Sequence, residues 1–449
     1  MAFRAGKGRR SAGQMVAWPG LHVATAVLVG LAQVSCSSDS YLTTASISPT
    51  AGASATTTRL SRPTVPTQEA TAVPSASFGS FTNEIWDSAK AQGVSRRTFD
   101  RAFAGLTPDP KVIALTKKQS EFVKPVWDYL GSAVSEQRLE RGGRAVTESA
   151  ATLTKVEVVY GVDRRVVAGV WGMETNFGSY MGSSDVIRSL ATLAHAGYRG
   201  DFFRGELVTA LVILEQGHID RDGMVGSWAG AMGQTQFMPT SFMSYAVDFT
   251  GDGRRDIWTS TPDALASTAN YLKKHGWETG LPWGFEVKVP KGLTYGAGNQ
   301  SFAAWSRAGV RRMDGRAMPA QGEARILMPA GARGPAFLVT KNFNVIKRYN
   351  NSDAYALGVA HLGDRLYGGA PIQAPWPTDD LPLDRMQSVE LQKYLAAHGY
   401  DVGEPDGKLG SQTRAAIASY QESMGLPADG YPSVTLLERL RRSGNGRTT

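Results

Sequence analysis

The sequence predicts a mainly α-helical protein that carries a small β insertion and ends in a separate three-helix module. Three observations predict it. Apolar residues recur at helical spacing through most of residues 81–275. Short alternating runs, FEVKV, ARILM and AFLVT, are confined to a Gly- and Pro-rich stretch from about Trp283 to Val345. A Pro-rich segment, APIQAPWPTDDLPLD, then sets off a last helical stretch at residues 385–442. A chain of 449 residues has room for two or three such domains.

The elements follow in order. FTNEIWDSAKAQGVSRRTFDRAFAGL, from Phe81, reads as two short helices broken at Gly93. A helix is expected around Ser120–Glu136, and another from about Glu148 to Tyr160, stopped by Gly161. The next begins after Asp163, a good N-cap, and carries Val166, Val167, Val170 and Trp171. Further helices are expected at about Gly205–Gln216 and Pro262–His275, and, past the β insertion, at Ser352–Leu366. Residues 371–384 read as a linker, and helices of the final module should begin near Ser411 and Ser433. No fixed-period repeat is visible.

The N-terminus has another character. A basic stretch, FRAGKGRR, leads into an apolar run from roughly Val16 to Val34 that ends in small residues and Cys36. This is the layout of an export signal over residues 1–36. Its core, HVATAVLVGLA, is short for a membrane span, which needs about 20 residues. VSCSS resembles a lipoprotein processing site, so Cys36 is the candidate for lipidation, although Gln33 stands where such signals prefer Leu. Simple cleavage, an uncleaved anchor and an incidental thiol are the alternatives. Cys36 is the only cysteine, which excludes an intramolecular disulfide and a cysteine-based metal site. Residues 37–80 are rich in Ser, Thr, Ala and Pro with few large apolar residues, and read as a disordered tether.

The formal net charge is +8, but Arg4, Lys7, Arg9 and Arg10 all lie in the first ten residues. The remainder is only mildly basic. No basic helix with interleaved aromatics is present, so nucleic acid is not an expected partner. The six histidines form no H-E-x-x-H or similar spacing, which counts against a zinc peptidase.

The chemistry concentrates in three segments. In VVAGVWGMETNFGSYMG, residues 166–182, four apolar side chains and then Glu174 occupy one helix face. Burial disfavours an ionised carboxylate, and the negative end of a helix ending near Asn176 acts in the same direction. A carboxyl kept protonated near neutral pH suits a general acid. The plainer alternative is a Glu paired with an arginine. In GSWAGAMGQTQFMPTSF, residues 226–242, small residues allow close approach of a ligand. Ser227, Gln234 and Gln236 offer neutral donors and acceptors, and Trp228 and Phe237 offer faces for stacking on sugar rings. A tightly packed corner is the alternative.

In DFTGDGRRDIWT, residues 248–259, Asp248, Thr250, Asp252, the Arg254 carbonyl and Asp256 take loop positions 1, 3, 5, 7 and 9 of an EF-hand, with Gly253 at position 6. They are candidate ligands of a structural calcium. Thr259 stands where a bidentate Glu is usual, and Arg254 and Arg255 oppose a cation. A polar turn is the alternative.

ETNFG, followed by GAMGQTQFMPTSF and then by YNNSDAYALGVAHLGDRL at residues 349–366, resembles the lytic murein transglycosylases, in particular the membrane-bound lytic transglycosylase B family. The resemblance spans about Phe81 to Leu366. It implies a lysozyme-like domain over residues 81–370 in which Glu174 is the acid and then the base. It implies that Ser227, Gln236, Tyr349 and Tyr355 line the cleft, with Asn350 as a companion. The implied reaction cuts the bond between N-acetylmuramic acid and N-acetylglucosamine in peptidoglycan and leaves 1,6-anhydro ends. It requires no cofactor, and members can hold an EF-hand-like site. Leu391-Gln392, Gly399-Tyr400, Asp406-Gly407, Gly410, Thr413, Ala416 and Tyr420-Gln421 resemble the small peptidoglycan-binding domain of wall enzymes. The expected partner is therefore the glycan strand, and the expected location is the cell envelope, periplasmic and lipid-anchored through Cys36. Protein partners stay unknown. A hydrolytic muramidase with the same acid, and a non-catalytic wall-binding scaffold, are the alternatives.

Overall fold

The computed structural model describes residues 75–117, 124–290, 293 and 298–445. The export signal, Cys36 and nearly all of the tether lie outside the described residues. Among the described residues no helix is long and apolar enough to cross a membrane.

The helices of the large domain form where apolar spacing and caps coincide. Ser95, Ser135, Asp163, Asp185, Ser260 and Ser352 each accept a backbone N–H at a helix start. Gly161 ends the Ala150–Tyr160 helix in the left-handed conformation, as expected. Several boundaries differ from the sequence reading. The first helix, Ser75–Ala91, takes in Ser75–Ser80, which composition assigned to the tether. Phe78 accounts for the extension: its ring stacks on Phe81 and meets His195 edge-on. The helix expected at Ser120–Glu136 is Val126–Ala133 instead, and a separate helix, Glu136–Glu148, begins at the Ser135 cap. Pro110–Thr116 adds a short helix behind the Asp109 cap.

The β insertion is a five-stranded antiparallel sheet. Its order is Gln300–Ser301, Glu323–Leu327, Ala336–Val339, Gly284–Lys288, Arg311–Arg312. Alternation along Ala336–Val339 decides what each face packs on. Ala336 and Leu338 join Phe285, Val287, Phe302 and Trp305 in a core of the insertion itself. Phe337 and Val339 face the helices and join the main core. The insertion is thereby fused to the helical domain.

The C-terminal helices, Arg385–Ala397, Ser411–Ser423 and Val434–Asn445, enclose a core of their own built on Leu391, Leu395, Ile417, Tyr420, Leu437 and Leu440. The Pro-rich residues before them are held against the large domain. Glu286 accepts the N–H groups of Gln373 and Ala374, at 2.9 and 2.8 Å, and Arg333 pairs with Asp379 at 2.8 Å. The module also touches the insertion directly, through Ala332 N–H donating to Asp429 at 2.7 Å.

Candidate active site

Two glycines set the geometry of the site. The helices Arg164–Thr175 and Asp353–Leu366 meet backbone to backbone. A Cβ on Gly169 would lie 2.2 Å from the Val359 carbonyl oxygen, and one on Gly363 would lie 2.3 Å from that of Arg165. No side chain fits between them. The pairing runs antiparallel, 165 beside 363 and 169 beside 359, so the same register continued brings 355 beside 173, one residue from Glu174. The Tyr355 hydroxyl does donate to Glu174 Oε1.

The end of the first helix is locked by several bonds. Asn176 and Phe177 take left-handed conformations, φ 49° and 63°, which cost a non-glycine residue roughly 1 kcal/mol or more each. The cost is met by packing and hydrogen bonds. Phe177 meets Trp171 edge-on with centroids 5.5 Å apart. Thr175 donates to the Gln234 carbonyl at 3.0 Å and accepts from Gly178 N–H at 3.0 Å. The loop after Glu174 then runs against the 226–236 segment: a Cβ on Gly182, at φ 93°, would lie 2.1 Å from the Gly226 carbonyl oxygen.

Glu174 keeps a partial opening to solvent. Its pKa is nevertheless pushed up to about 7, because burial penalises the carboxylate more than the Tyr355 hydrogen bond favours it. Four tyrosines feel its charge. Burial, then Glu174, pushes Tyr129 up to about 12. Burial, Tyr245 and Glu174 push Tyr271 to about 12 against the opposing Arg348. Burial and Glu174 raise Tyr349 and Tyr355 well above the ordinary value. No arginine pairs with Glu174 among the described residues, which removes the ion-pair reading. The hydrogen-bond partner of this acid is a phenol.

The other predicted residues fall as follows. Gln236 sits at φ 51°, with its amide donating to Met181 O at 3.1 Å and Gly233 O at 2.9 Å. It shares a cavity of about 260 Å³ with Tyr271, Tyr349 and Arg348. Ser227 Oγ accepts from Ala231 N–H at 3.0 Å, and its hydrogen remains available to a ligand. The Tyr349 hydroxyl is buried and makes no hydrogen bond; Thr268, beside it, donates to Ala264 O instead. Asn350 shapes the turn: its carbonyl accepts Ser352 N–H at 2.7 Å, and Ser352 caps the helix that carries Tyr355.

Three sequence expectations are corrected. Phe237 is 2% exposed and packs between Tyr271 and Tyr349, so it is core and not a stacking surface. Gln234 is buried and consumed by structure, accepting from Trp171 Nε1 at 2.9 Å and donating to Trp258 O at 3.2 Å. Asp256 turns into its own loop, where it accepts Trp258 N–H at 2.9 Å, Thr259 N–H at 2.8 Å and the Thr259 hydroxyl. The carboxylates that converge are those of Asp248, Asp252 and Asp263, with ligand atoms within 4.8 Å of one another. The Thr250 hydroxyl donates to Asp248 at 3.3 Å. Asp263 lies beyond the 12-residue pattern, and no motif pointed to it or to Tyr129 and Tyr271. Each is contributed by a helix distant in sequence or outside the motif.

A larger cavity, about 570 Å³, opens beside the other end of the Arg164–Thr175 helix, between the insertion and residues 367–373. Its charges are matched internally: Arg165 pairs with Asp364 at 3.2 Å and Arg312 with Asp314 at 2.5 Å.

The chain is similar to known proteins over most of its length. Residues 77–364 match the transglycosylase SLT domain model. The chain belongs to that family. Residues 387–440 match the putative peptidoglycan binding domain. Among relatives of this SLT-domain chain is membrane-bound lytic murein transglycosylase B of Escherichia coli, 35% identical over 228 residues, or 47% of this chain and 59% of the relative. SltB3 of Pseudomonas aeruginosa, solved in complex with NAG-anhNAM-pentapeptide, is 49% identical, with a TM-score of 0.77 over 81% of this chain and 99% of that one. The lytic transglycosylase Slt35 of Escherichia coli, solved in complex with calcium, is 28% identical, with a TM-score of 0.55 over 65% of this chain and 92% of that one.

Proposed function

We propose that this SLT-domain protein is a lytic transglycosylase that cleaves the β-1,4 bond between N-acetylmuramic acid and N-acetylglucosamine in peptidoglycan and leaves 1,6-anhydro ends. The observation that carries the reading is a carboxyl, Glu174, that is hydrogen-bonded by the Tyr355 hydroxyl, has no arginine partner among the described residues, and is raised to about 7. At that pKa it is about half protonated at neutral pH, so it can give a proton and take one back.

In the proposed reaction Glu174 protonates the glycosidic oxygen as the bond from that oxygen to C1 of the muramyl residue breaks. The muramyl N-acetyl group stabilises the cationic carbon, as in substrate-assisted glycosidases. The C6 hydroxyl of the same sugar then attacks C1. Glu174 takes its proton, which restores the starting state. No water is consumed. Tyr355 holds the carboxylate in place during the ionised interval through its hydroxyl. Ser227, Gln236, Tyr349 and Asn350 line the sugar site in this reading.

Residues 385–442 hold the enzyme on the wall and raise its effective concentration there. Cys36, with its lipid, would tether it in the periplasm. Asp248, Asp252 and Asp263 are the proposed calcium ligands: oxygen donors at this separation suit a hard cation with bonds of about 2.3–2.6 Å. No step of the reaction passes through it.

The test is mass spectrometry of muropeptides released from purified sacculi by the protein lacking residues 1–36. Anhydro ends, lighter than reducing ends by one water, are expected. Reducing ends would make it a muramidase, and binding without release would leave a scaffold.

A further inference from the structure

Arg348 stands apart from the other cations around the site. The residue is exposed, and its guanidinium makes no ion pair or side-chain hydrogen bond among the described residues. Its neighbours are engaged: Lys347 pairs with Asp353 at 2.9 Å, and Arg325 approaches the same carboxylate at 3.8 Å. The Arg348 backbone is fixed, because its carbonyl accepts the Tyr271 hydroxyl at 2.7 Å. Arg348 is one of the residues lining the 260 Å³ cavity, together with Gln236, Tyr271 and Tyr349. Tyr271 and Tyr349, with ring centroids 4.5 Å apart, both feel the Glu174 charge. Gln236 and Tyr349, two of the residues expected to line the sugar cleft, belong to the wall of this cavity.

Among the described residues the only carboxylate lining that cavity is Glu206, and it is spoken for. It accepts Thr240 N–H at 2.9 Å and the Thr240 hydroxyl at 2.6 Å. An unpaired guanidinium on a residue that lines this cavity calls for an anion on the ligand. The muramyl residue has one to offer. Its 3-O-lactyl arm ends in a carboxylate or in a peptide that carries carboxylates, whereas the N-acetylglucosamine residue is neutral.

We propose that Arg348 is a specificity-determining residue that binds a carboxylate on the lactyl arm of the muramyl residue and so sets which of the two alternating sugars occupies the site next to Glu174. This rests on the transglycosylase reading and adds to it the part of the substrate that gives register. A cut on the wrong side of the muramyl residue would leave the arm without its partner.

The experiment is steady-state cleavage by the full chain and its Arg348→Ala and Arg348→Lys variants, at low and high salt. Two substrates are compared: soluble glycan chains carrying stem peptides, and the same chains stripped to free lactyl carboxylates by an amidase. Arg348→Ala is expected to raise KM about tenfold with kcat changed less than about twofold, and to lose most of the salt dependence of KM. Arg348→Lys should recover most of the loss. A KM increase on the stripped chains alone would assign the lactyl carboxylate as the anion, an increase on peptide-bearing chains alone would assign the stem peptide, and an increase on both would show that a carboxylate of either kind serves. KM unchanged on both, or kcat falling at constant KM, would overturn the proposal. A wild-type protein that cuts neither substrate would instead overturn the transglycosylase reading.

Discussion

Two groups of acids in this SLT-domain protein have opposite fates. At the end of the Arg164–Thr175 helix, Glu174 has one hydroxyl for a partner, and its pKa rises to about 7. In the 248–263 loop burial also pushes upward, but donors outnumber it. Asp256 is held low by Thr259 and Trp258, and Asp248 by the N–H groups of Gly253, Gly251 and Asp252 with the Thr250 hydroxyl. Both segments bring a carboxylate out of water. What separates a proton carrier from a structural anion is the number of donors aimed at it. Backbone N–H groups in a tight loop converge on a carboxylate, whereas the last turn of a helix has spent its N–H groups on carbonyls.

The contrast predicts opposite dependence of stability on pH. The folded pKa of Glu174 lies above the ordinary carboxyl value of 4.5, so between about 4.5 and 7 the folded chain binds more protons than the unfolded one. Its contribution to stability therefore falls as pH rises through that window. For Asp256 the folded pKa is depressed, so its contribution is present above the ordinary value and fades as pH falls below it.

The sharpest way to break the comparison is Glu174→Gln. Cleavage of sacculi should fall by about 10²–10⁴-fold, while urea unfolding at pH 8 should show a gain of about 2–3 kcal/mol that disappears near pH 4. Retained cutting would remove Glu174 from the chemistry, and an absent gain would remove the burial argument. Next in size is Asp263→Ala. It leaves the N–H groups of Phe249, Thr250 and Asp256 without their acceptor, at a cost of about 3 kcal/mol in unfolding free energy. A loss under about 1 kcal/mol would mean that water replaces the carboxylate.

Tyr355→Phe should act between these extremes. The Tyr355 hydroxyl favours the ionised form of Glu174, so its loss should lower the cleavage rate about tenfold to a hundredfold. The alkaline fall in rate, expected near pH 7 in the wild type, should move to higher pH. A fall moved to lower pH would contradict the assigned direction. The smallest effect concerns calcium. At concentrations a few-fold above its Kd it should raise the thermal midpoint by about 2–4 °C. A chelator should reverse the rise, and Asp252→Asn should blunt it. No shift at any concentration would leave the loop a polar turn.

Much of this architecture was legible along the chain. Helical periodicity, the Asp163 cap and Gly161 marked the helix that carries Glu174, and alternation marked the three longer strands of the insertion. The motifs around Glu174, Ser227 and Gln236, and the YNNSDAY turn, were local enough to be read as well. The errors share a cause. Phe237 and Gln234 have the residue types that sugars favour, but burial and hydrogen bonding are properties of the assembled fold. The EF-hand pattern pointed to Asp256 because spacing records sequence position, whereas the loop turns that side chain inward and draws in Asp263 from the following helix.

The sequence alone determined which segments form helices and strands, where they stop, and which residue types sit beside the candidate acid, because caps, periodicity and glycine punctuation act within a few residues. The tertiary structure decided the state of that acid. Tyr129, Tyr271, Tyr349 and Tyr355 come from segments as far as 226 positions apart in the numbering, and only the crossing at Gly169 and Gly363 sets Tyr355 against Glu174. Desolvation and the count of donors depend on what arrives from elsewhere in the chain, and they alone distinguish a carboxyl that can carry a proton at neutral pH from one that cannot.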